Sequence, residues 1–114
     1  MYGFDKTRRL LKKSEYDYVF QQAKKMVTSE FIVLYRDNEK GYARLGLALS
    51  KKVIPRAHER NRIKRLLRET FRTQQLSSVD IIVLGRPGVA LVQNSILIAK
   101  LSKVWEKLKQ LPGN

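Results

Sequence analysis

The apolar positions change period along the chain, and the changes mark its elements. Tyr16, Val19, Phe20 and Ala23 recur at i, i+3, i+4, i+7 behind Ser14, whose hydroxyl oxygen suits a cap accepting from the amide of Asp17. This spacing predicts a short helix over 15–22. Phe31, Val33 and Tyr35 then alternate with Ile32 and Leu34, Asp37-Asn38-Glu39-Lys40-Gly41 supplies turn chemistry, and 42–50 alternates again. Two strands joined by such a turn predict an antiparallel hairpin. In the second strand Leu45, Leu47 and Leu49 share one face and Arg44, Gly46, Ala48 and Ser50 the other, because successive side chains point to opposite sides.

Pro55 suits a helix start, and Ile63, Leu66, Leu67, Thr70 and Phe71 make one apolar stripe that predicts a helix over 57–72. Residues 79–85 read as a strand between Ser77-Ser78 and Gly85-Arg86-Pro87-Gly88. Leu97, Leu101, Val104, Trp105, Leu108 and Leu111 predict a final amphipathic helix that Pro112-Gly113 ends. Residues 1–13 lack periodicity and read as a flexible basic arm, with Phe4, Leu10 and Leu11 available to anchor it. The order is αββαβα, with room for one further short strand before the long helix. It implies an α+β fold, an α/β sandwich with one central mixed sheet, in a single domain over 1–114.

Composition bears on the partner. The 114 residues are 43% hydrophobic, enough for a core and unlike a disordered basic tail. The 24 Lys and Arg against 10 Asp and Glu leave a net charge of +14, whose self-repulsion a polyanion relieves. Nucleic acid is the first candidate and an anionic membrane the second. The absence of cysteine excludes disulfide frameworks, thiolate zinc sites and cysteine nucleophiles, and fits a reducing compartment. No apolar run follows the N-terminal Lys and Arg residues, so neither signal peptide nor membrane span is read, and the expected location is the cytoplasm.

Half of the net charge lies in one stretch. Residues 51–72 hold Lys51, Lys52, Arg56, Arg60, Arg62, Lys64, Arg65, Arg68 and Arg72 against Glu59 and Glu69 alone. At about 100° per residue, Arg60, Lys64, Arg68, Asn61, Arg72, Arg65 and Arg62 fill the arc opposite the apolar stripe. A solvated helix face would carry oppositely charged i,i+4 partners, which are nearly absent. Six of the nine cations are Arg, the residue suited to bidentate phosphate and base-edge contacts. Asn61 can both donate and accept, as a base edge or ribose hydroxyl requires. Tyr16 and Phe20 suit either core packing or a stacking surface beside the small-residue face.

Protein-borne catalysis finds no support. The carboxylates are scattered, with Asp80 alone at a strand edge. His58 is the single histidine, so a two-histidine mechanism is excluded. Gly85-Arg86-Pro87-Gly88 lacks phosphate-loop spacing and reads as a loop. No catalytic residue is assigned to the protein, and the sequence leaves its metal sites undetermined.

Ser50-Lys51-Lys52 followed by Ala57-His58-Glu59-Arg60-Asn61-Arg62-Ile63-Lys64-Arg65-Leu66-Leu67-Arg68-Glu69 closely resembles the RNR motif of the bacterial ribonuclease P protein subunit. The likeness extends over the basic arm, the Tyr16 and Phe20 helix, both later strands and the terminal Leu/Trp helix. It implies a subunit that binds a catalytic RNA and the 5′ leader of precursor tRNA, while the RNA removes the leader by magnesium-dependent endonucleolytic cleavage to give the mature tRNA 5′ end. It also implies a left-handed βαβ crossover, an exception to the usual rule. By position, Lys52, Arg56, Arg60, Asn61, Arg62, Lys64, Arg65 and Arg68 would face catalytic RNA and the adjoining precursor. Tyr16, Phe20, Ser50 and Lys51 would line the leader cleft. Magnesium would be mainly RNA-bound, with no membrane partner and no protein partner required. Tyr16 departs from the family's frequent Phe, and Gly85-Arg86-Pro87 carries one cation where the family often has two.

Three alternatives compete. A helix-turn-helix DNA-binding module does not accommodate the alternating strands. A membrane-surface helix would need Ile63, Leu66 and Phe71, which the core requires. A ribosomal or architectural RNA-binding protein needs the same charge and no active site, and is the reading that remains beside the ribonuclease P subunit.

Overall fold

The computed structural model describes residues 6–110. It contains helices α1 (Lys13–Gln21), α2 (Ala57–Arg72) and α3 (Asn94–Lys109), and strands β1 (Lys24–Val27), β2 (Phe31–Asp37), β3 (Arg44–Ala48) and β4 (Val79–Gly85). Short 3-10 turns lie at Lys6–Arg8 and Val89–Leu91. The strands form one mixed sheet in the order β1-β2-β4-β3.

The hairpin expected between 31–35 and 42–50 is not formed. β4 lies between those strands, antiparallel to β2 from Phe31↔Gly85 to Asp37↔Val79 and parallel to β3 from Arg44↔Asp80 to Ala48↔Leu84. The reason is burial: Val79 to Val83 are all buried, and a strand covered on both faces belongs in the middle of a sheet. The turn after β2 therefore spans the width of a strand. Its Asn38 amide donates to the Ser78 carbonyl at 3.0 Å and its Gly41 amide to the Ser78 hydroxyl at 2.8 Å, with Gly41 at a left-handed φ of 84°. The true hairpin is β1 to β2, closed where the Phe31 amide donates to Thr28 Oγ1 at 2.9 Å.

Other boundaries also shift. Ser14 does not cap α1; the helix starts at Lys13, and Glu15 Oε1 accepts from the amides of Leu11 at 2.7 Å and Lys12 at 2.9 Å. A carboxylate reaching back to two otherwise unpaired amides outcompetes a hydroxyl one position earlier. Before α3 there is a 3-10 turn and no strand. Residues 6–12 are not an irregular arm. Arg9 bridges to Leu45, and the Leu10 amide donates to the Leu45 carbonyl at 3.0 Å. Leu10 is 3% exposed, whereas Leu11 is 59% exposed and anchors nothing. Phe4, Leu111, Pro112 and Gly113 lie outside the described residues.

The sheet separates two apolar layers. Val33, Leu45, Ile81 and Val83 pack against Ile63, Leu67 and Phe71 of α2 and Leu97, Leu101 and Trp105 of α3. Each such fully buried side chain contributes about 1.5–3 kcal/mol. Trp105 Nε1 donates to Thr70 Oγ1 at 2.9 Å, and its ring meets Phe71 edge-on at 5.5 Å, fixing α3 against α2. On the opposite face Ile82, Leu34, Leu84 and Ala48 meet Val19 and Tyr16 of α1 together with Leu10. The two faces of β3 thus divide as its alternation predicts.

Candidate nucleic-acid interface

The α2 stripe is buried at Ile63, Leu66, Leu67 and Phe71, which turns the basic arc outward. The two acidic residues of this helix are already paired: Glu59 with Arg62 at 3.3 Å and Glu69 with Arg72 at 3.0 Å. The Arg62 guanidinium holds the Glu59 carboxyl below its usual range. Among the described residues the side chains of Lys52, Arg56, Asn61, Lys64, Arg65 and Arg68 make no hydrogen bond or ion pair to the protein.

Two of the predicted contacts have other partners. Arg60 Nη1 donates to the carbonyls of Ile54 at 2.8 Å and Pro55 at 2.9 Å, clamping the loop that leads into α2. Arg62 donates to the Ala90 carbonyl at 2.8 Å, the Val92 carbonyl at 3.2 Å and Asn94 Oδ1 at 2.6 Å, fastening α2 to the start of α3. Spacing places both residues on the basic arc and cannot see these carbonyls.

A groove of about 210 Å³ on one flank of α2 brings Arg9, Tyr16, Leu47, Lys64 and Arg68 together. The Tyr16 hydroxyl accepts from the Leu47 amide at 3.1 Å and lies 3.4 Å from the Leu47 carbonyl, so its ring rests over Gly46. Phe20, one helical turn on, is 49% exposed although it shares the Tyr16 stripe. Ser50 shapes the turn after β3, its carbonyl accepting from Ile54 at 2.9 Å and its hydroxyl from Val53 at 3.2 Å, and Lys51 and Lys52 are exposed in that turn. The opposite flank of α2 has a groove of about 340 Å³ lined by His58, Asn61, Arg62, Arg65, Leu66 and Asn94.

Asp80 does not stand alone. It is fully buried and takes a bidentate pair from Arg44 at 2.9 and 2.7 Å, with Asn38 Nδ2 donating to it at 2.7 Å. Arg44 also reaches Glu15 Oε2 at 2.9 Å. The Asp80 hydrogen bonds raise the Arg44 pKa, and the amides of Lys12 and Leu11, followed by Arg44, lower that of Glu15. This cluster needs the β3 to β4 register, which no local pattern encodes; the same is true of Arg9 and Asn94 as groove residues. His58 is exposed, its Nε2 3.7 Å from Glu59. Among the described residues no three His, Asp or Glu side chains converge to hold a metal ion, and no helix is long and apolar enough to cross a membrane.

The chain matches the ribonuclease P family model over residues 4–109. It is 58% identical to the ribonuclease P protein component of Legionella pneumophila (strain Corby) over 99% of both chains. It is 46% identical to that of Photorhabdus laumondii, covering 92% of this chain and 90% of the relative. Among solved structures, the Staphylococcus aureus RNase P protein superposes with a TM-score of 0.83 at 27% identity, covering 90% of this chain and 98% of the other. The Thermotoga maritima RNase P protein does so with a TM-score of 0.78 at 29% identity, covering 92% and 98%. The basic α2 read from the sequence, the mixed sheet beneath it and these matches converge on one statement: the chain belongs to the ribonuclease P protein component family.

Proposed function

We propose that this chain binds the catalytic RNA of ribonuclease P through α2 and holds the 5′ leader of precursor tRNA over α1 and β3, so that the RNA removes the leader and leaves the mature 5′ end. The observation that carries this reading is a set of side chains in α2 and in the turn and cap before it that make no hydrogen bond or ion pair within the described protein: Lys52, Arg56, Asn61, Lys64, Arg65 and Arg68 face outward while the helix's own carboxylates are paired with Arg62 and Arg72. Cations left without intramolecular partners gain most from phosphate, through charge pairing and counterion release. Tyr16 opens into the groove that Lys64 and Arg68 border, and the half-exposed Phe20 ring offers a face on which an unpaired leader base stacks. Ser50 and Lys51, at the end of β3, extend that cleft.

Among the described residues no three His, Asp or Glu side chains converge, and on this reading magnesium is held mainly by the RNA. The chain's own contribution is binding and orientation, in the cytoplasm. The test is precursor-tRNA cleavage at low magnesium, with a bacterial ribonuclease P RNA transcript present or absent and this protein added to each. Cleavage that requires both components is the expected result. Tight RNA binding without stimulation of cleavage would overturn it in favour of an architectural RNA-binding role.

A further inference from the structure

We propose that the groove between α2 and the first turn of α3 is a nucleobase pocket, in which Asn94 joins Asn61 to hold one unstacked base of the catalytic RNA. The inference rests on the ribonuclease P reading for its RNA partner, and adds a specificity-determining residue from outside α2.

The chemistry of the walls separates this groove from a phosphate site. Its floor is Leu66, 9% exposed, and two carboxamides, Asn61 and Asn94, stand on its sides. An apolar floor with amide edges matches a flat ring whose rim carries hydrogen-bonding groups. Arg62 pre-organises one of those edges. Its guanidinium is anchored to Ala90, Val92 and Glu59, and it donates to Asn94 at 2.6 Å. Arginine can only donate, so the contacted Asn94 atom is the carboxamide oxygen and the NH2 group is left as a donor. The Asn61 carboxamide makes no hydrogen bond within the described protein and supplies both a donor and an acceptor. Splayed bases in single-stranded RNA segments are recognised through such edges. Arg65 on the same rim is placed for the neighbouring phosphate.

The experiment measures binding of a bacterial ribonuclease P RNA transcript to wild type, Asn94→Ala, Asn61→Ala and the double variant across a salt series, with a thermal melt of each protein. The expected result is about tenfold weaker binding by Asn94→Ala. Its salt slope is unchanged because no phosphate contact is lost. The double variant is then little weaker than the worse single one, since both residues hold one base. Unchanged affinity of Asn94→Ala in a protein with wild-type melting overturns the proposal. So does a salt slope reduced by about one, which marks a phosphate contact, and so does strict additivity. Melting that falls in step with affinity assigns Asn94 to the Arg62 latch alone and also overturns it. Wild type that binds no catalytic RNA would sink the functional reading itself, an outcome distinct from wild-type binding with an indifferent Asn94.

Discussion

A methyl group at Gly46 would stand 2.9 Å from both Cζ and Oη of Tyr16 and 3.0 Å from Leu10 Cδ1. The ring cannot swing aside freely, because its hydroxyl is tied to Leu47. Gly46→Ala should therefore cost about 1–3 kcal/mol in urea unfolding and weaken precursor tRNA binding more than mature tRNA binding. Phe20 behaves differently. Its truncation to Ala should leave thermal melting nearly unchanged and weaken precursor relative to mature tRNA by roughly 1–3 kcal/mol; equal losses for the two ligands would return the ring to a packing role. Periodicity groups Tyr16 with Phe20, yet only Val19 of that stripe is fully buried. A stripe marks a direction on the helix, and how far the sheet extends beneath it is a tertiary fact.

At the scale of elements, α2 was fully legible, since a 3.6-residue period held through Ala57–Arg72 leaves little room for another structure. The roles within its basic arc were not. Arg62→Ala should lower stability by about 2–3 kcal/mol through loss of its links to Ala90, Val92 and Asn94, seen as a lower melting temperature. Arg65→Ala should melt like wild type and reduce the salt slope of catalytic RNA binding by about one. Strand pairing was also hidden. Alternation tells which face a residue takes and says nothing of the neighbour, so β2 and β3 looked like a hairpin. β1 carries no strand signal because Lys24 and Lys25 break its apolar pattern, and those same charges protect an open sheet edge from pairing with other chains. The other edge, β3, is covered at Leu45 by the Leu10 amide and at Leu47 by Tyr16.

Across the whole molecule, the +14 charge is held together by a few carboxylates whose pKa values are set by the fold. Glu15 lies below its ordinary value of 4.5 because the Lys12 and Leu11 amides and then Arg44 favour the anion. In Glu30 burial pushes the carboxyl up, and the Ser29 hydroxyl and Lys100 outweigh it to leave the pKa lowered. A carboxyl whose pKa is depressed by folding contributes stability that is complete above the unfolded value and lost as pH falls through the folded one. Melting temperature should therefore drop below about pH 4.5, and Glu15→Gln should flatten part of that drop in melts taken from pH 7 to pH 3.

The position of β4 has a consequence for the order of events during synthesis. β2 and β3 emerge from the ribosome with a gap between them that only residues 79–85 fill, and α2 emerges before that filler. A chain halted at Ser78 would hold a strongly cationic, amphipathic segment without β4 and α3, two of the elements its apolar face packs with. Closing of the sheet and the seating of α2 on it are therefore expected to be coupled, so the proposed RNA-binding face takes its final orientation only once β4 is in place.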